Sequence, residues 1–415
     1  MTFPDPAPKN VLTFLGAGSK IVLTMKRYLE DPIISDLKDR FVLIAGPRQV
    51  GKTTMARRIA DQMSPAPANS YFNWDYQPHR KVIREMDWPR TSPVIVLDEI
   101  HKYSEWKTLL KGFFDAEGRR QKIMVTGSAR LDIYKKGGES LMGRAYHFKL
   151  HPLTIGEISR NGAVPETQSL MNPDSWLETD DNMGMDIFKQ LFSIGGFPEP
   201  FLKGDEREAK RWRINRRDQV LREDLRDLTQ IRHITKAEHL FDLLLDRVGA
   251  LISVNSLRED LEADHKTVSA WMDVFEKLHI IFSVMPYSAK LQRSIKKARK
   301  IYFWDWSEVP DHGARFENLI AVHLMKYCDY MKNVAGENLE LRHIRDRNKR
   351  EVDFLITKDR RPWILMESKY GQTREAGNLS YFAKQLDVAH RYQVTAKNHH
   401  SRHVAPCWRI LAGLP

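Results

Sequence analysis

The chain has 415 residues, a net charge of +12 and a mean hydropathy of −0.50, which predicts two or three domains and, with no apolar run of about eighteen residues, excludes a membrane-spanning helix. Only Cys328 and Cys407 occur, too few for a disulfide framework, and the N-terminus lacks the basic patch, apolar core and cleavage site of a secretory leader, so a reducing cytoplasm is the expected location. A positive surplus of this size, with a pI near 9.4, points to a polyanionic partner such as DNA.

Residues 1–24, with Pro4, Pro6, Pro8, Gly16 and Gly18, lack periodicity and read as a loose extension, with the first patterned segment starting at Met25. The apolar run Phe41 to Ala45 then reads as a buried strand delivering Gly46-Pro47-Arg48-Gln49-Val50-Gly51-Lys52-Thr53, a complete GxxxxGKT, into a helix over Thr54 to Gln62. In that context backbone N–H groups from Gly46 to Thr54 curl round phosphate, Lys52 reaches the β- and γ-phosphates, and the Thr53 hydroxyl sits on Mg²⁺. Tyr71 to Asp75 is a second strand candidate. Val94 to Leu97 is a third, ending in Asp98-Glu99, where Asp98 orders the Mg²⁺ shell and Glu99 polarises the attacking water.

Trp106, Leu109, Leu110, Phe113 and Phe114 recur at helical spacing, and Ile123 to Thr126 forms a fourth strand ending in Gly127-Ser128. Ser128 is placed to sense the γ-phosphate or the water, and Arg144, after a glycine-rich stretch, to act as an arginine finger in cis or from a neighbouring subunit. Strands and helices alternate to this point, which predicts a doubly wound α/β layer with its ligand at the carboxyl ends of the strands.

Residues 162–184 read as a polar insertion, and Asp205 to Lys236, with ten Lys or Arg against seven Asp or Glu, as a solvated helix rather than a nucleic-acid patch. Three short helices follow, the third lined by Val268, Trp271, Phe275 and Leu278, then strands at Ile280 to Val284 and Lys300 to Trp304. This is the plan of a winged helix, in which Lys266, Thr267, Ser269 and Ala270 face a major groove. The intervening turn holds Lys290, Arg293, Lys296, Lys297, Arg299 and Lys300 with no acid from 288 to 300, the cleanest polyanion signal in the chain. Winged helices also serve as protein-binding modules.

The last hundred residues carry Glu317 on a helix and two strands, Glu351 to Ile356 and Trp363 to Lys369. A turn centred on Arg360 places Asp353 directly opposite Glu367, with Lys369 on the same face. Such carboxylates, with Glu317, hold one or two Mg²⁺ or Mn²⁺ ions in phosphodiester cleavage, and the lysine orients the nucleophile. Facing acids repel, so something cationic must join them. Gln385 and Tyr392 are placed on the following helix, and His399, His400 and His403 in a polar turn before a final strand, Val404 to Leu411.

With both centres in view, the chain from about Met25 to Pro415 resembles a bacterial and archaeal family of AAA+-like P-loop ATPases fused to a C-terminal domain of unknown function with a PD-(D/E)XK nuclease-like fold. The likeness rests on GPRQVGKTT at Gly46, YFNWD at Tyr71, VLDEIHK at Val96, TGSARL at Thr126, GRAYHFKLHPLT at Gly143, GGFPEP at Gly195, RFENL at Arg315 and EVDFLI…ESK at Glu351. It implies ATP binding by Gly46 to Thr54, hydrolysis supported by Asp98 and Glu99, and a nuclease-type site at Glu317, Asp353, Glu367 and Lys369. Ser368 departs from the apolar residue common in the family, on a side of the strand expected to matter little. The expected architecture is α/β throughout: extension 1–24, P-loop ATPase domain 25–195, helical and winged-helix part 196–305, nuclease-like domain 306–415. The expected function is an ATP-dependent DNA-processing enzyme with Mg²⁺-dependent nuclease activity in its C-terminal domain, monomeric or homo-oligomeric; the alternative is a nucleotide-gated binding switch in defence, stress or a toxin–antitoxin pairing, with a protein partner and an inert nuclease-like scaffold.

Overall fold

Two compact units organise the chain in the computed structural model, which describes residues 25–63, 70–117, 121–127, 141, 143–178, 181–225, 234–287 and 299–415. The first comprises Lys26–His151 with Lys277–His279, and the second Pro152–Glu276 and Ile280–Pro415.

In the first unit α1 (Glu30–Asp36) precedes β1 (Phe41–Ala45), α2 (Lys52–Met63), β2 (Tyr71–Asn73), α3 (Gln77–Glu85), β3 (Val94–Asp98), α4 (Trp106–Glu117), β4 (Lys122–Thr126) and β5 (Ala145–Lys149). All five strands are parallel in the order β2-β3-β4-β1-β5. β1 and β3 are buried along their whole length, which is why they read as unbroken apolar runs rather than alternating ones. Phe41, Leu43, Ile95, Leu97, Ile123 and Val125 join Trp106, Leu110 and Phe113 of α4 in one core.

The second unit opens with helices: α5 (Ile155–Ser159), α6 (Thr167–Leu170), α7 (Asp181–Ile194), α8 (Pro198–Lys203), α9 (Glu206–Gln219) and α10 (Ile234–Leu245). Residues 162–184 are therefore less irregular than their polarity predicts; Leu170, Pro173 and Trp176 are buried and anchor short helical turns there. Next come β6 (Leu251–Ile252), α11 (Val254–Asp260), α12 (His265–Lys277), β7 (Ile281–Pro286) and β8 (Arg299–Phe303). The chain ends with α13 (His312–Tyr330), β9 (Leu339–Arg345), β10 (Glu351–Lys358), β11 (Arg361–Lys369), α14 (Gly377–Leu386), β12 (His390–Thr395), β13 (Val404–Pro406) and α15 (Cys407–Ala412). The final strand is shorter than expected. Proline at 406 lacks the N–H to extend the ladder, and Cys407, Trp408, Ile410 and Leu411 bury themselves at helical spacing instead. Tyr392 lies on β12, not on a helix, and its hydroxyl donates to Asp174.

β6 to β13 form one eight-stranded sheet in the order β13-β12-β11-β10-β9-β7-β8-β6. β7 is the junction, antiparallel to β8 and parallel to β9 through Met285 and Arg342. Leu379 and Phe382 of α14 pack on Val352, Leu355 and Leu365 of the sheet. α13, capped by the Asp311 side chain on Ala314 N–H, lies against β8, β9 and β11. A buried ion pair between Lys326 and Glu157 at 2.5 Å, with Lys326 also donating to Thr154, ties α13 to α5. No helix among the described residues is long and apolar enough to cross a membrane.

Candidate functional site

The chain leaves β1 at Ala45 through a loop that only its glycines permit. Gly46 has φ +146°, and a Cβ there would stand 2.4 Å from the Leu150 carbonyl oxygen. Gln49 and Gly51 also take positive φ, which turns the loop sharply into α2. Val50 is buried beneath it, Arg48 is half-buried, and Gln49 and Thr54 are exposed. Lys52, the first residue of α2, arches back so that Nζ donates to the Gly46 and Pro47 carbonyls at 2.9 and 2.8 Å.

Asp98 ends β3 beside this loop, buried and held by hydroxyls. Thr53 Oγ1 donates to its Oδ2 at 2.9 Å, Tyr71 Oη to Oδ2 at 2.6 Å, and Thr126 Oγ1 to Oδ1 at 2.5 Å. Burial and the bond to Asp98 push the Tyr71 hydroxyl up to about 12, so it remains a donor, and the Arg57 guanidinium stacks 3.7 Å from its ring centroid. Glu99 takes the left-handed conformation at φ 56°, with its N–H fixed on the Thr126 carbonyl at 2.9 Å. Its carboxylate lies 3.6 Å from Lys102 and from His101; burial raises its pKa against the pull of Lys102. These hard oxygens, with a lysine over a glycine turn, fit a nucleoside triphosphate carrying Mg²⁺.

One expectation changes here. Arg144 lies at the opposite end of the sheet, since its carbonyl accepts from Phe41 N–H at the start of β1, while the loop departs from Ala45. Its guanidinium forks onto Asp115 at 2.8 and 3.0 Å, so it cannot serve this loop as a finger in cis. Ser128 falls outside the described residues, as do Lys290, Arg293, Lys296 and Lys297. Thr126, two residues earlier, is the hydroxyl that meets the acid strand; its place at the strand tip was the available signal.

In the second unit the β10–β11 pairs next to the turn, Lys358 with Arg361 and Thr357 with Pro362, are one off the expected sum, and an irregularity between Ile356 and Thr357 restores it, so that Phe354 faces Met366, Leu355 faces Leu365 and Ile356 faces Ile364. That ladder stops one pair short of Asp353 and Glu367, and β10 shifts register against β9 between Val352 and Leu355, which re-aims Asp353. Side chains bridge the gap: Asp353 N–H donates to Glu367 Oε2 at 3.2 Å, and Ser368 N–H and Oγ donate to Asp353 Oδ2 at 3.0 and 2.9 Å. Ser368 thus belongs to the site, contrary to the expectation that it faces away. Lys369 pairs with Glu367 Oε1 at 2.6 Å.

Lys300 corrects a second expectation. It is 1 % exposed and reaches no solvent groove. Its Nζ stands 2.6 Å from Glu351 Oε1, 3.0 Å from Asp353 Oδ1 and 3.2 Å from Glu317 Oε1. β8 is buried on both faces, so period two turns Lys300 and Tyr302 to the same side, where Tyr302 Oη donates to Glu317 Oε1 at 2.7 Å. Gly249, at φ +74°, makes room for Glu317, because a Cβ there would stand 2.7 Å from Oε1. Arg299 is likewise engaged, with Glu276 at 3.0 Å, whereas Lys266 is exposed on α12 and Thr267, half-buried, donates to Asp264.

Burial would push the Lys300 ammonium down, but Asp353, Glu317 and Glu351 together hold it well above the usual lysine range. Burial raises Glu317 and Glu367 to about 7, reinforced in both by Asp353. Asp353 itself stays below the usual range because Lys300 and then Lys369 outweigh its burial. The ammonium already holds the three oxygens an ion would use, and it would repel a divalent ion about 4 Å away by about 8 kcal/mol at an effective dielectric of about 20, offsetting the attraction of one carboxylate. With Lys300 in place these residues do not fit a resident Mg²⁺ or Mn²⁺, and no group of three or more His, Cys, Asp or Glu among the described residues is arranged to hold a metal.

A glycine loop and an acid strand separated by one inserted strand define the first unit as an AAA+-like P-loop ATPase domain. In agreement, residues 38–159 match the family described as AAA domain, while 185–308 and 312–410 match two domains of unknown function, DUF8612 and DUF4143. Uncharacterized protein MJ1637 of Methanocaldococcus jannaschii is 23% identical over 352 residues, 72% of this chain and 70% of that one. Uncharacterized protein Rv2008c of Mycobacterium tuberculosis is 22% identical over 268 residues, 64% of this chain and 54% of that one, so the match spans about half of that relative. Among solved structures, the Thermotoga maritima RuvB Holliday junction branch migration motor aligns at a TM-score of 0.29 and 17% identity, covering 66% of this chain and 92% of that chain. AMPPCP-bound DnaA from Aquifex aeolicus aligns at 0.27 and 15%, covering 65% and 92%. Both likenesses are too slight to bear on the geometry above.

Proposed function

We propose that this protein binds and hydrolyses ATP and uses that cycle to govern its hold on DNA. The observation that carries the reading is the 2.9 Å bond joining Thr53 of the loop helix to Asp98 of the acid strand, which brings both halves of a phosphate-Mg²⁺ site together. Bound Mg²⁺–ATP supplies the phosphoanhydride and a charge that polarises its terminal phosphate. N–H groups from Gly46 to Thr54 hold the phosphates, and Lys52 neutralises them. Asp98 fixes the Thr53 hydroxyl, and the Glu99 carboxylate orients water and receives its proton, a role suited to a carboxyl raised by burial. Lys52→Ala is expected to lower ATP turnover by about a thousandfold; turnover like that of the unaltered protein would overturn the reading.

The division into 25–195, 196–305 and 306–415 stays a proposal: the separate family matches at 38–159, 185–308 and 312–410 support it, while the compact units part at His151 and one sheet joins the second and third parts. Helices α10 to α12 with β6 to β8 follow the order of a winged helix, and exposed Lys266 on α12 is the contact proposed for duplex. Fluorescence anisotropy across a salt series tests this: affinity should fall steeply with salt, and Lys266→Glu should weaken it at every sequence. Salt-independent binding would point to a protein partner instead.

For the nuclease-like sheet, the Lys300 ammonium favours an inert scaffold within a nucleotide-gated switch over Mg²⁺-dependent cleavage. Single- or double-stranded DNA incubated with the protein, ATP and Mg²⁺ or Mn²⁺ should stay whole. Cutting that Glu367→Gln abolishes would restore the nuclease reading.

A further inference from the structure

Four carboxylates of the second unit, Glu317, Glu351, Asp353 and Glu367, converge from α13, β10 and β11. Three cations face them: Lys300 from β8, Lys369 from β11, and Arg345 of β9, which pairs with Glu351 Oε2 at 2.9 Å. With all four carboxylates ionised, four negative and three positive charges leave a balance of −1, and without Lys300 the balance would be −2, the charge one divalent ion cancels.

The ammonium also takes the oxygens such an ion would need. It draws on Glu317 Oε1, Glu351 Oε1 and Asp353 Oδ1 from three directions, at the centre of the cluster. Four further oxygens are committed: Asp353 Oδ2 to Ser368, Glu367 Oε1 to Lys369, Glu367 Oε2 to the Asp353 N–H and Glu351 Oε2 to Arg345. Three oxygens around one buried centre are what a hard cation coordinates, with water completing the shell. Around that centre Tyr302 orients Glu317, Gly249 leaves it room, and Ser368 fixes Asp353.

We propose that Lys300 is the resident cation of a latent divalent-cation site, and that its single charge is what keeps Mg²⁺ and Mn²⁺ out. The inference rests on the inert-scaffold reading and is independent of ATP hydrolysis. With Lys300 in place the acids are not arranged to hold a metal, but three of their oxygens stand within 3.2 Å of its ammonium, so with a neutral side chain at position 300 they need only close on an ion, without rebuilding the fold.

The test is Mn²⁺ binding to the full chain without nucleotide, followed by electron paramagnetic resonance and calorimetry. The unaltered protein should take up no Mn²⁺ at this cluster. Lys300→Met should gain one site, at least about tenfold tighter than any binding before substitution, and Lys300→Met with Asp353→Asn should lose it. Stoichiometric Mn²⁺ on the unaltered protein that Glu317→Gln removes would overturn both the proposal and the inert-scaffold reading. Lys300→Met that folds, by circular dichroism, yet gains no site would overturn the proposal alone, since geometry rather than charge would then be excluding the ion. If Lys300→Met does not fold, Lys300→Gln and the unaltered protein supply the same two comparisons.

Discussion

Asp98, at the end of β3, and Asp353, on β10, are both buried acids, and they differ in what holds them. Asp98 takes its hydrogen bonds from the hydroxyls of Thr53, Tyr71 and Thr126, which fix its direction and leave its charge to act on a cation. Asp353 takes one from the Lys300 ammonium, which cancels that charge where it stands. An acid cluster is thus defined less by its acids than by whether its buried donors are neutral or charged.

Breaking the charged side should have the larger effect on stability. Asp353→Asn takes one of three carboxylates from a buried ammonium and should cost about 1.5–3 kcal/mol, read as a lower denaturation midpoint of the second unit. A loss below about 1 kcal/mol would mean that Glu317 and Glu351 suffice for Lys300. On the neutral side, Tyr71→Phe removes one hydroxyl from Asp98 and should reduce ATP turnover by about tenfold at fixed Mg²⁺, with the melting curve little changed. An equal loss of folding stability would make Tyr71 a packing residue instead.

The charged side should also answer to pH. Glu317 and Glu367 titrate at about 7, above the ordinary 4.5, because they are buried and face Asp353. The folded chain therefore keeps protons that the unfolded chain has released, so their contribution is complete below pH 4.5 and disappears as pH rises through about 7. Denaturation midpoints should fall between pH 5 and 8, and Glu367→Gln should flatten that slope; an unchanged slope would assign it to other groups. The smallest effect expected is from Ser368→Ala, about 1 kcal/mol, because the backbone N–H at 368 still serves Asp353.

The loop at Gly46 was legible because its chemistry is contiguous: strand, glycines, lysine and helix follow one another in sequence. The β10–β11 register was legible only in part: the turn pairs Lys358 with Arg361, one off a turn centred on Arg360, and the irregularity between Ile356 and Thr357, which brings the later pairs back to the expected sum, has no local signal. Lys300 was not, because its three acids lie 17, 51 and 53 residues further along and nothing local separates it from the basic residues before it. The clue lay in charge: facing acids demanded a cation, and strand alternation placed Lys300 beside Tyr302 on one face. Arg144 misled because a sequence gives proximity along the chain but not which end of a parallel strand a residue occupies. Ser368 misled because alternation assumes a regular ladder, and the ladder ends at Phe354.

The hydrogen bonds from β7 to β8 on one side and to β9 on the other have a practical corollary for anyone dissecting the protein. A truncation between Glu308 and His312 would tear one fabric along its weave: it would carry Lys300 and Tyr302 away from Glu317 and Asp353, and leave a raw strand margin prone to aggregate. Because Lys326 is also paired with Glu157 of α5, the second unit is best expressed whole, from Pro152 to Pro415.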